Sequence, residues 1–242
     1  MIIFYIYASY VFHFFANIFL YLRVLKKKEH PARFKEKLGL YETENNNRTI
    51  WFHASSLGEI KSIVPLISVL DKNKSYKILI TTVTLSSSEY CHQIFKHTEN
   101  ITHQFAPLDT PMIVKKFLDH WKPQISIFVE SEIWPNLILQ TKKVSTLILL
   151  NARLSNRSFS RWKLVKNVAQ KLFKQFDSIT AQSKEVKSFI EFFDIQNVNF
   201  FGNLKFISQH NISNNDSFIF KKVVKNSWVA MSIHTGEEIF II

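Results

Sequence analysis

The chain has 242 residues, of which 46% are hydrophobic, and its 31 basic and 19 acidic residues give a net charge of +12. That hydrophobic content is ample for a packed core. The single cysteine, Cys91, excludes an intrachain disulfide, fits a reducing compartment, and is expected to be a small buried side chain.

The N-terminal segment separates apolar from basic residues. Residues 1–22 contain no charged side chain, whereas residues 23–37 contain seven basic and two acidic ones. A helix of that apolar length spans roughly 33 Å, enough to cross a bilayer core. The segment lacks the basic start and small-residue cleavage site of a signal peptide. A buried amphipathic helix is the alternative, because a polar residue recurs at every fourth position, at Ser9, His13 and Asn17.

We therefore predict a membrane-anchor helix over residues 1–22 and a basic juxtamembrane segment over residues 23–48. Positive residues flank the cytoplasmic side of such anchors, so everything after residue 23 is expected in the cytoplasm. An anionic inner membrane explains the charge better than nucleic acid, because the sequence has no RNP-type motif, zinc-ligand spacing or Arg-rich recognition helix.

After the polar break at Asn45–Arg48, β-like runs alternate with helical periods, and we place a folded domain over residues 49–210. Seven strands are predicted, at Ile50–Ala54, Lys77–Thr82, Thr102–Ala106, Ile125–Glu130, Thr146–Asn151, Ser178–Gln182 and Asn197–Phe201. Six helices are predicted, at Glu59–Leu70, Ser86–Lys96, Pro111–Trp121, Pro135–Lys142, Phe159–Phe176 and Lys184–Phe193. This alternation predicts an α/β fold with a Rossmann-like parallel sheet and helices on both faces.

Polar side chains follow the ends of most predicted strands. Because ligands of such sheets bind beyond the carboxyl ends of the strands, these residues are expected to converge on one edge. Helix caps account for some of them, and Ser86 and Ser183 are interpreted as caps only.

Gly58 and Glu59 follow the first strand. Gly58, one of four glycines in the chain, leaves room for a ligand to approach the backbone. The carboxylate of Glu59 could accept a proton from a substrate hydroxyl. The helix start is expected to lower the pKa of Glu59, making it a modest base unless it is desolvated. A first-turn Glu that only favours the helix dipole is the alternative.

Glu130 and Lys205 lie at two other strand ends. Glu130 ends a buried run and needs either an ionic partner, such as a nearby arginine, or a function. Lys205 could neutralise phosphate or carboxylate charge during a reaction, or could be a solvated surface lysine. The histidines show no paired ligand spacing, so no metal site is predicted, and neither a P-loop nor a GxGxxG motif is present.

Several short motifs stand at or near the predicted strand ends. In chain order they are His53-Ala-Ser-Ser-Leu-Gly-Glu59, Thr81-Thr-Val-Thr84, Phe105-Ala-Pro-Leu-Asp109, Glu130-Ser-Glu-Ile-Trp-Pro-Asn136, Asn151-Ala-Arg-Leu-Ser155, Ala181-Gln-Ser183, Gly202-Asn-Leu-Lys-Phe206 and His234-Thr-Gly-Glu-Glu238. Together they resemble the 3-deoxy-D-manno-octulosonic acid (Kdo) transferases of Gram-negative lipid A synthesis.

The resemblance implies the N-terminal half of a GT-B glycosyltransferase, which transfers Kdo from CMP-Kdo to the phosphorylated lipid A precursor lipid IVA at the inner membrane. It implies a single displacement without metal or cofactor, in which Glu59 takes the acceptor proton. Glu130 and Lys205 match transition-state stabilisers. By the same resemblance, substrate-binding residues are expected at Ser55, Ser56, Gly58, Thr82, Asn151 and Arg153.

The sequence departs from the family pattern in two places. Ser86–Ser88 replaces a Gly-containing turn, and residues 211–242 are expected to be a linker and the start of an incomplete nucleotide-sugar-binding domain. We therefore expect impaired transfer by the chain alone. The alternatives are one half of a split enzyme, with a separate polypeptide carrying the C-terminal domain, and a non-catalytic membrane-anchored lipid A precursor-binding fragment.

Overall fold

The structure is a computed structural model that describes residues 1–41, 49–72 and 76–206. The polar break at 45–48 and the segment 211–242, predicted to hold a linker and part of a second domain, lie outside the described residues.

A seven-stranded parallel sheet forms the centre of the fold, in the order β3-β2-β1-β4-β5-β6-β7. Its strands are β1 Thr49–His53, β2 Lys77–Thr82, β3 Ile101–Phe105, β4 Pro123–Val129, β5 Thr146–Ala152, β6 Ser178–Ala181 and β7 Val198–Phe200. The first six strands have the Rossmann order. All seven predicted strands are therefore confirmed, with their bounds shifted by at most two residues.

Helices cover both faces of the sheet, as predicted. They are α1 Ile2–Leu25, α2 Leu57–Asp71, α3 Leu85–Phe95, α4 Pro111–Trp121, α5 Pro135–Thr141, α6 Asn156–Lys163, α7 Lys166–Phe173 and α8 Lys184–Glu191, with a 3₁₀ helix at Phe34–Leu38. The helices α2 and α3 pack on one face, and α4, α5, α7 and α8 on the other.

The alternation of side chains along β1 shows how the two cores are built. Ile50 and Phe52 point into the core under α2 and α3, whereas Trp51 points to the opposite core, where its ring lies 4.6 Å from that of Phe117. All five residues of β1 are buried, as expected for a central parallel strand covered on both faces.

Two local predictions are wrong. The predicted helix Phe159–Phe176 is two helices, because Val165 leaves the helical region at φ −127° and ψ 42° and Leu164 is exposed. The break lets Phe159 of α6 stack on Phe189 of α8, with ring centroids 4.1 Å apart. Ser86 lies inside α3, and the cap of that helix is Thr84, which accepts from the backbone N–H of Ser87.

The folded unit begins earlier than the sequence suggests, because the segment after α1 packs on the sheet. Lys37 is buried, where its Nζ donates to the carbonyl of Val83 at 3.0 Å and pairs with the buried Glu29 at 2.5 Å. Glu36 accepts from the backbone N–H of Phe105 at 2.8 Å. The basic segment is therefore part of the domain, and its own carboxylates neutralise several of its cations.

Candidate active site

The site lies at the carboxyl edge of the sheet, between β1 and β4. These strands are neighbours, and their connections leave in opposite directions, β1 toward β2 and β4 toward β5. This is the topological switch point, where doubly wound sheets open a crevice for a ligand. The loop before α2 and the residues after β4 therefore meet at this edge.

Glu59 is fixed at the start of α2 by the two serines before it. Its Oε2 accepts from the backbone N–H of Ser55 at 2.7 Å, and its Oε1 accepts from the hydroxyl of Ser56 at 2.9 Å. Ser56 caps the helix by accepting from the backbone N–H of Glu59. Both serines, predicted to bind substrate, are thus engaged with the carboxylate of Glu59.

The pKa of Glu59 moves opposite to the prediction from its helix position. Burial raises it most, and the negative charges of Glu132 and Glu130 raise it further, while the bonds from Ser55 and Ser56 act in the lowering direction. The charge effects show that all three carboxylates share this edge. A carboxylate with a raised pKa is a stronger base than an exposed glutamate.

Glu132 forms a bonded group with His53 and Trp134 that sequence reasoning did not assign to the site. Its Oε2 lies 3.0 Å from Nε2 of His53 and accepts from the indole N–H of Trp134 at 2.6 Å. Burial would raise the pKa of Glu132, but the hydrogen bond and charge of His53, with the bond from Trp134, lower it to about 2. Glu132 is therefore a fixed negative charge beside Glu59. The spacing Glu130-x-Glu132 after the fourth strand was the sequence signal that could have placed Glu132 in the site.

Glu130 holds two cations at the edge. Its Oε1 lies 2.7 Å from Nζ of Lys205, and its Oε2 lies 3.7 Å from Nη1 of Arg153. The side chain of Glu130 is buried, whereas those of Lys205 and Arg153 are 37% and 57% exposed. The expected ion pair of Glu130 with an arginine is present, and it includes the lysine as well.

Backbone strain marks the same place. Glu130 and Asn151 have φ values of 58° and 55°, in the left-handed region that non-glycine residues seldom adopt. Such strain costs about 1 kcal/mol or more and tends to occur where function fixes the backbone. Oδ1 of Asn151 accepts from the backbone N–H of Leu204 at 3.3 Å, which ties the segment of Lys205 to β5.

Thr82 is the last residue of β2, and its side chain is fully buried. Its hydroxyl lies 2.9 Å from Nε2 of His103, whose pKa burial lowers to about 3. Substrate binding by Thr82 stays a prediction. Gly58 faces open space, because a Cβ built on it meets no atom within 4 Å.

Comparison with known proteins now identifies the family. The model described as "3-Deoxy-D-manno-octulosonic-acid transferase (kdotransferase)" matches residues 32–208. The chain belongs to the Kdo transferase family. The matched range contains every residue of the site, from His53 to Lys205.

Curated members of the family are similar over most of this chain. The 3-deoxy-D-manno-octulosonic acid transferase of Rickettsia bellii is 33% identical over 91% of the chain and 53% of its own length. The probable mitochondrial transferase of Arabidopsis thaliana is 34% identical over 89% and 51%, and that of Haemophilus influenzae is 29% identical over 93% and 54%. The chain thus spans about half the length of the curated Kdo transferases it matches.

A solved structure, the UDP-N-acetylglucosamine 2-epimerase from Rickettsia bellii, covers 75% of this chain and 50% of its own with a TM-score of 0.45 and 11% identity. That likeness is too weak to support an argument.

Beside Glu130 the candidate site opens into a cavity of about 280 Å³. Glu130, Ser131 and Arg153 supply polar groups, and the floor is apolar, with Leu149 and Phe173. Within the described residues, no three His, Cys, Asp or Glu side chains cluster as metal ligands would.

Proposed function

We propose that this chain takes part in transferring Kdo from CMP-Kdo to a hydroxyl of lipid IVA, at the cytoplasmic face of the inner membrane. Its sheet would be the N-terminal half of a GT-B fold, and its carboxyl edge would bind the acceptor. The observation that most supports this is Glu59, a buried carboxylate with a raised pKa beside the open space at Gly58.

In the proposed reaction Glu59 takes the proton of the acceptor hydroxyl as the oxygen attacks the anomeric carbon of Kdo. The C–O bond to CMP breaks on the opposite side, and CMP leaves with its bonding electron pair. The bonds from Ser55 and Ser56 hold the carboxylate in place before the substrate arrives. No metal is assigned to this displacement.

Lys205 and Arg153 supply positive charge where the leaving phosphate or the sugar carboxylate is proposed to lie. Glu130 keeps both cations at the edge, since its two oxygens face them. Positive groups fixed in advance stabilise developing negative charge without having to reorient during the reaction. Glu130 is thus proposed to act mainly by orienting its neighbours.

The test is Kdo transfer to lipid IVA by the chain and by Glu59→Gln, alone and with a polypeptide carrying the C-terminal domain. Glutamine retains hydrogen bonding but cannot take the proton, so we expect a loss of about 10²–10⁴-fold in rate. Glu185→Gln is the matched control, because Glu185 lies in the first turn of α8 behind a capping serine. Equal, measurable rates for wild type and Glu59→Gln in the presence of the C-terminal domain would refute the proposal.

A non-catalytic lipid-binding role is the second candidate, because the serine bonds alone would explain Glu59 as a helix cap. It predicts lipid IVA binding unchanged by Glu59→Gln, with no transfer even after the donor domain is added. Transfer only when the second polypeptide is present would instead identify a split enzyme.

A further inference from the structure

The helix α1 is long and apolar enough to cross a membrane, and 17% of its apolar window is buried against the domain, along one side only. One stripe of side chains, the packed stripe, makes these contacts at spacings of three and four residues, which place it on one helix face. Its members are Ile2, Tyr5, Ser9, His13, Ala16 and Leu20. From Ile2 to Leu20 the helix rises about 27 Å, nearly the thickness of a bilayer core.

Hydrogen bonds hold this stripe to the sheet edge. The hydroxyl of Tyr5 donates to Oδ2 of the half-buried Asp109 at 2.8 Å. Nδ2 of Asn136, which is buried, donates to the hydroxyl of Ser9 at 3.0 Å. Further along the helix, Nδ1 of His13 lies 3.3 Å from the hydroxyl of Thr110.

These contacts disfavour a helix that spans the bilayer. If α1 crossed the membrane while packed, the polar residues beside it would lie in hydrocarbon, where charged groups are expensive. If α1 crossed after detaching, Asp109 and Asn136 would lose these partners. The packed stripe therefore requires the axis of α1 to run alongside the domain.

The opposite side of α1, the aromatic face, is apolar and exposed. An apolar patch of this extent on a protein surface indicates a partner. Eight of its residues are aromatic: Phe4, Tyr7, Tyr10, Phe12, Phe14, Phe15, Phe19 and Tyr21. Exposed Lys26, Lys27 and Lys28 follow directly, and these suit anionic headgroups but would repel the same face of a second copy.

We propose that α1 lies parallel to the membrane plane, with the aromatic face in the lipid interface and the packed stripe on the domain. This rests on the membrane attachment proposed above and deepens it. Amphipathic helices of this kind bury their apolar face to the boundary of headgroups and acyl chains. A lipid surface is thus the partner of this face.

The orientation brings the active site to the lipid. Asp109, Thr110 and Asn136 lie at the starts of α4 and α5, on the same edge as Glu130 and Glu132. Trp134, which is 43% exposed, lies between Glu132 and Asn136 in the sequence, and its indole N–H donates a hydrogen bond to Glu132. A lipid-borne sugar could therefore reach the edge without leaving the interface.

The test measures depth at four positions spaced seven residues apart on the aromatic face: Phe4, Val11, Ile18 and Leu25, which are 60–77% exposed. Each is changed to Cys and labelled with a fluorophore. The native thiol should stay unlabelled, because Cys91 is buried and burial raises its pKa to about 12. Wild type is the labelling control.

Depth is read from quenching by spin-labelled lipids in vesicles of phosphatidylethanolamine and phosphatidylglycerol without lipid IVA. We expect one shallow depth at all four positions, the same within a few ångströms. Val11 and Ile18 at the bilayer centre, with Phe4 and Leu25 in opposite leaflets, would overturn the proposal. The proposal would also be overturned if none of the four labels were quenched and the protein formed a dimer in solution, because a second copy would then cover the aromatic face.

The result is independent of transfer. A uniform shallow depth, with no Kdo transfer even after the C-terminal domain is added, would remove the proposed function and leave the orientation standing. A spanning helix with normal transfer would do the reverse.

Discussion

Glu59 serves two purposes at the residue scale, because it completes the cap of α2 and presents a carboxylate at the switch point of the sheet. The sequence located it through the Gly58-Glu59 pair after a strand. The sequence did not indicate that the pKa of Glu59 is raised. Two of the causes are the charges of Glu132 and Glu130, which lie more than 70 positions away along the chain. Helix position alone predicted the opposite direction.

Replacing Glu132 with Gln should lower the pKa of Glu59. The negative charge of Glu132 is the second largest cause of the raised pKa, after burial, and this substitution removes it. A base must be ionised to act, so the acidic limb of the transfer rate should move to lower pH. Carboxyl carbon NMR of labelled glutamate measures the same shift without turnover. Trp134→Phe removes one bond to Glu132 but keeps its charge, and should leave Glu59 nearly unchanged. An unmoved or higher pKa of Glu59 in Glu132→Gln would contradict this.

Gly58→Ala should separate folding from binding. The position is helical and its Cβ would meet no protein atom, so alanine should leave the stability equal or raise it by up to about 1 kcal/mol. If the open space receives the acceptor, lipid IVA should bind about tenfold or more weakly, because a methyl group would intrude on it. Denaturant unfolding measures the effect on stability, and titration with lipid IVA measures the effect on binding. Unchanged binding would show that the acceptor does not approach Gly58.

At the element scale, the sheet was predictable because its strands are predicted from runs of four to eight residues, most of them rich in β-branched and aromatic residues, which are too short for typical helices. The α6–α7 break was not predictable. No Pro or Gly marks it, and the stacking that accompanies it, of Phe159 on Phe189, joins residues 30 positions apart. The packing of α1 was half predictable: Ser9 and His13 lie on the packed stripe, whereas Asn17 is exposed.

The contact of α1 with the domain is itself testable through Tyr5→Phe. This variant removes the hydroxyl that donates a hydrogen bond to the half-buried Asp109, and it should weaken the docking of α1 by about 1–2 kcal/mol. Hydrogen exchange of α1 amides in vesicles should become faster, while amides of β1 keep their protection. Tyr10→Phe is the matched control, because Tyr10 is 43% exposed on the aromatic face. Equal exchange in both variants would show that the Tyr5–Asp109 bond does not hold the helix.

At the scale of the whole molecule, the net charge of +12 is a poor guide until the pairs within it are known. Arg23 and Lys37 both contact Glu29, and Arg33 contacts Glu36, so three of the seven basic side chains of the flank are paired inside the fold with its two carboxylates. What remains exposed beside the aromatic face is the run Lys26–Lys28. The charge available to a membrane is thus local, and it lies at the C-terminal end of α1.

Changing Lys26, Lys27 and Lys28 together to Gln should therefore weaken binding to vesicles containing phosphatidylglycerol. Each lysine near an anionic surface contributes about 1 kcal/mol, so the loss should approach about 100-fold at low salt and shrink as salt rises. The matched control changes three exposed lysines at the opposite edge of the sheet, which follow α2, α3 and α5: Lys72, Lys96 and Lys143. Because the aromatic face stays intact in both variants, each should keep some binding to neutral vesicles. Equal losses in the two variants would mean that the membrane senses only net charge, and that α1 does not fix which side of the protein meets the lipid.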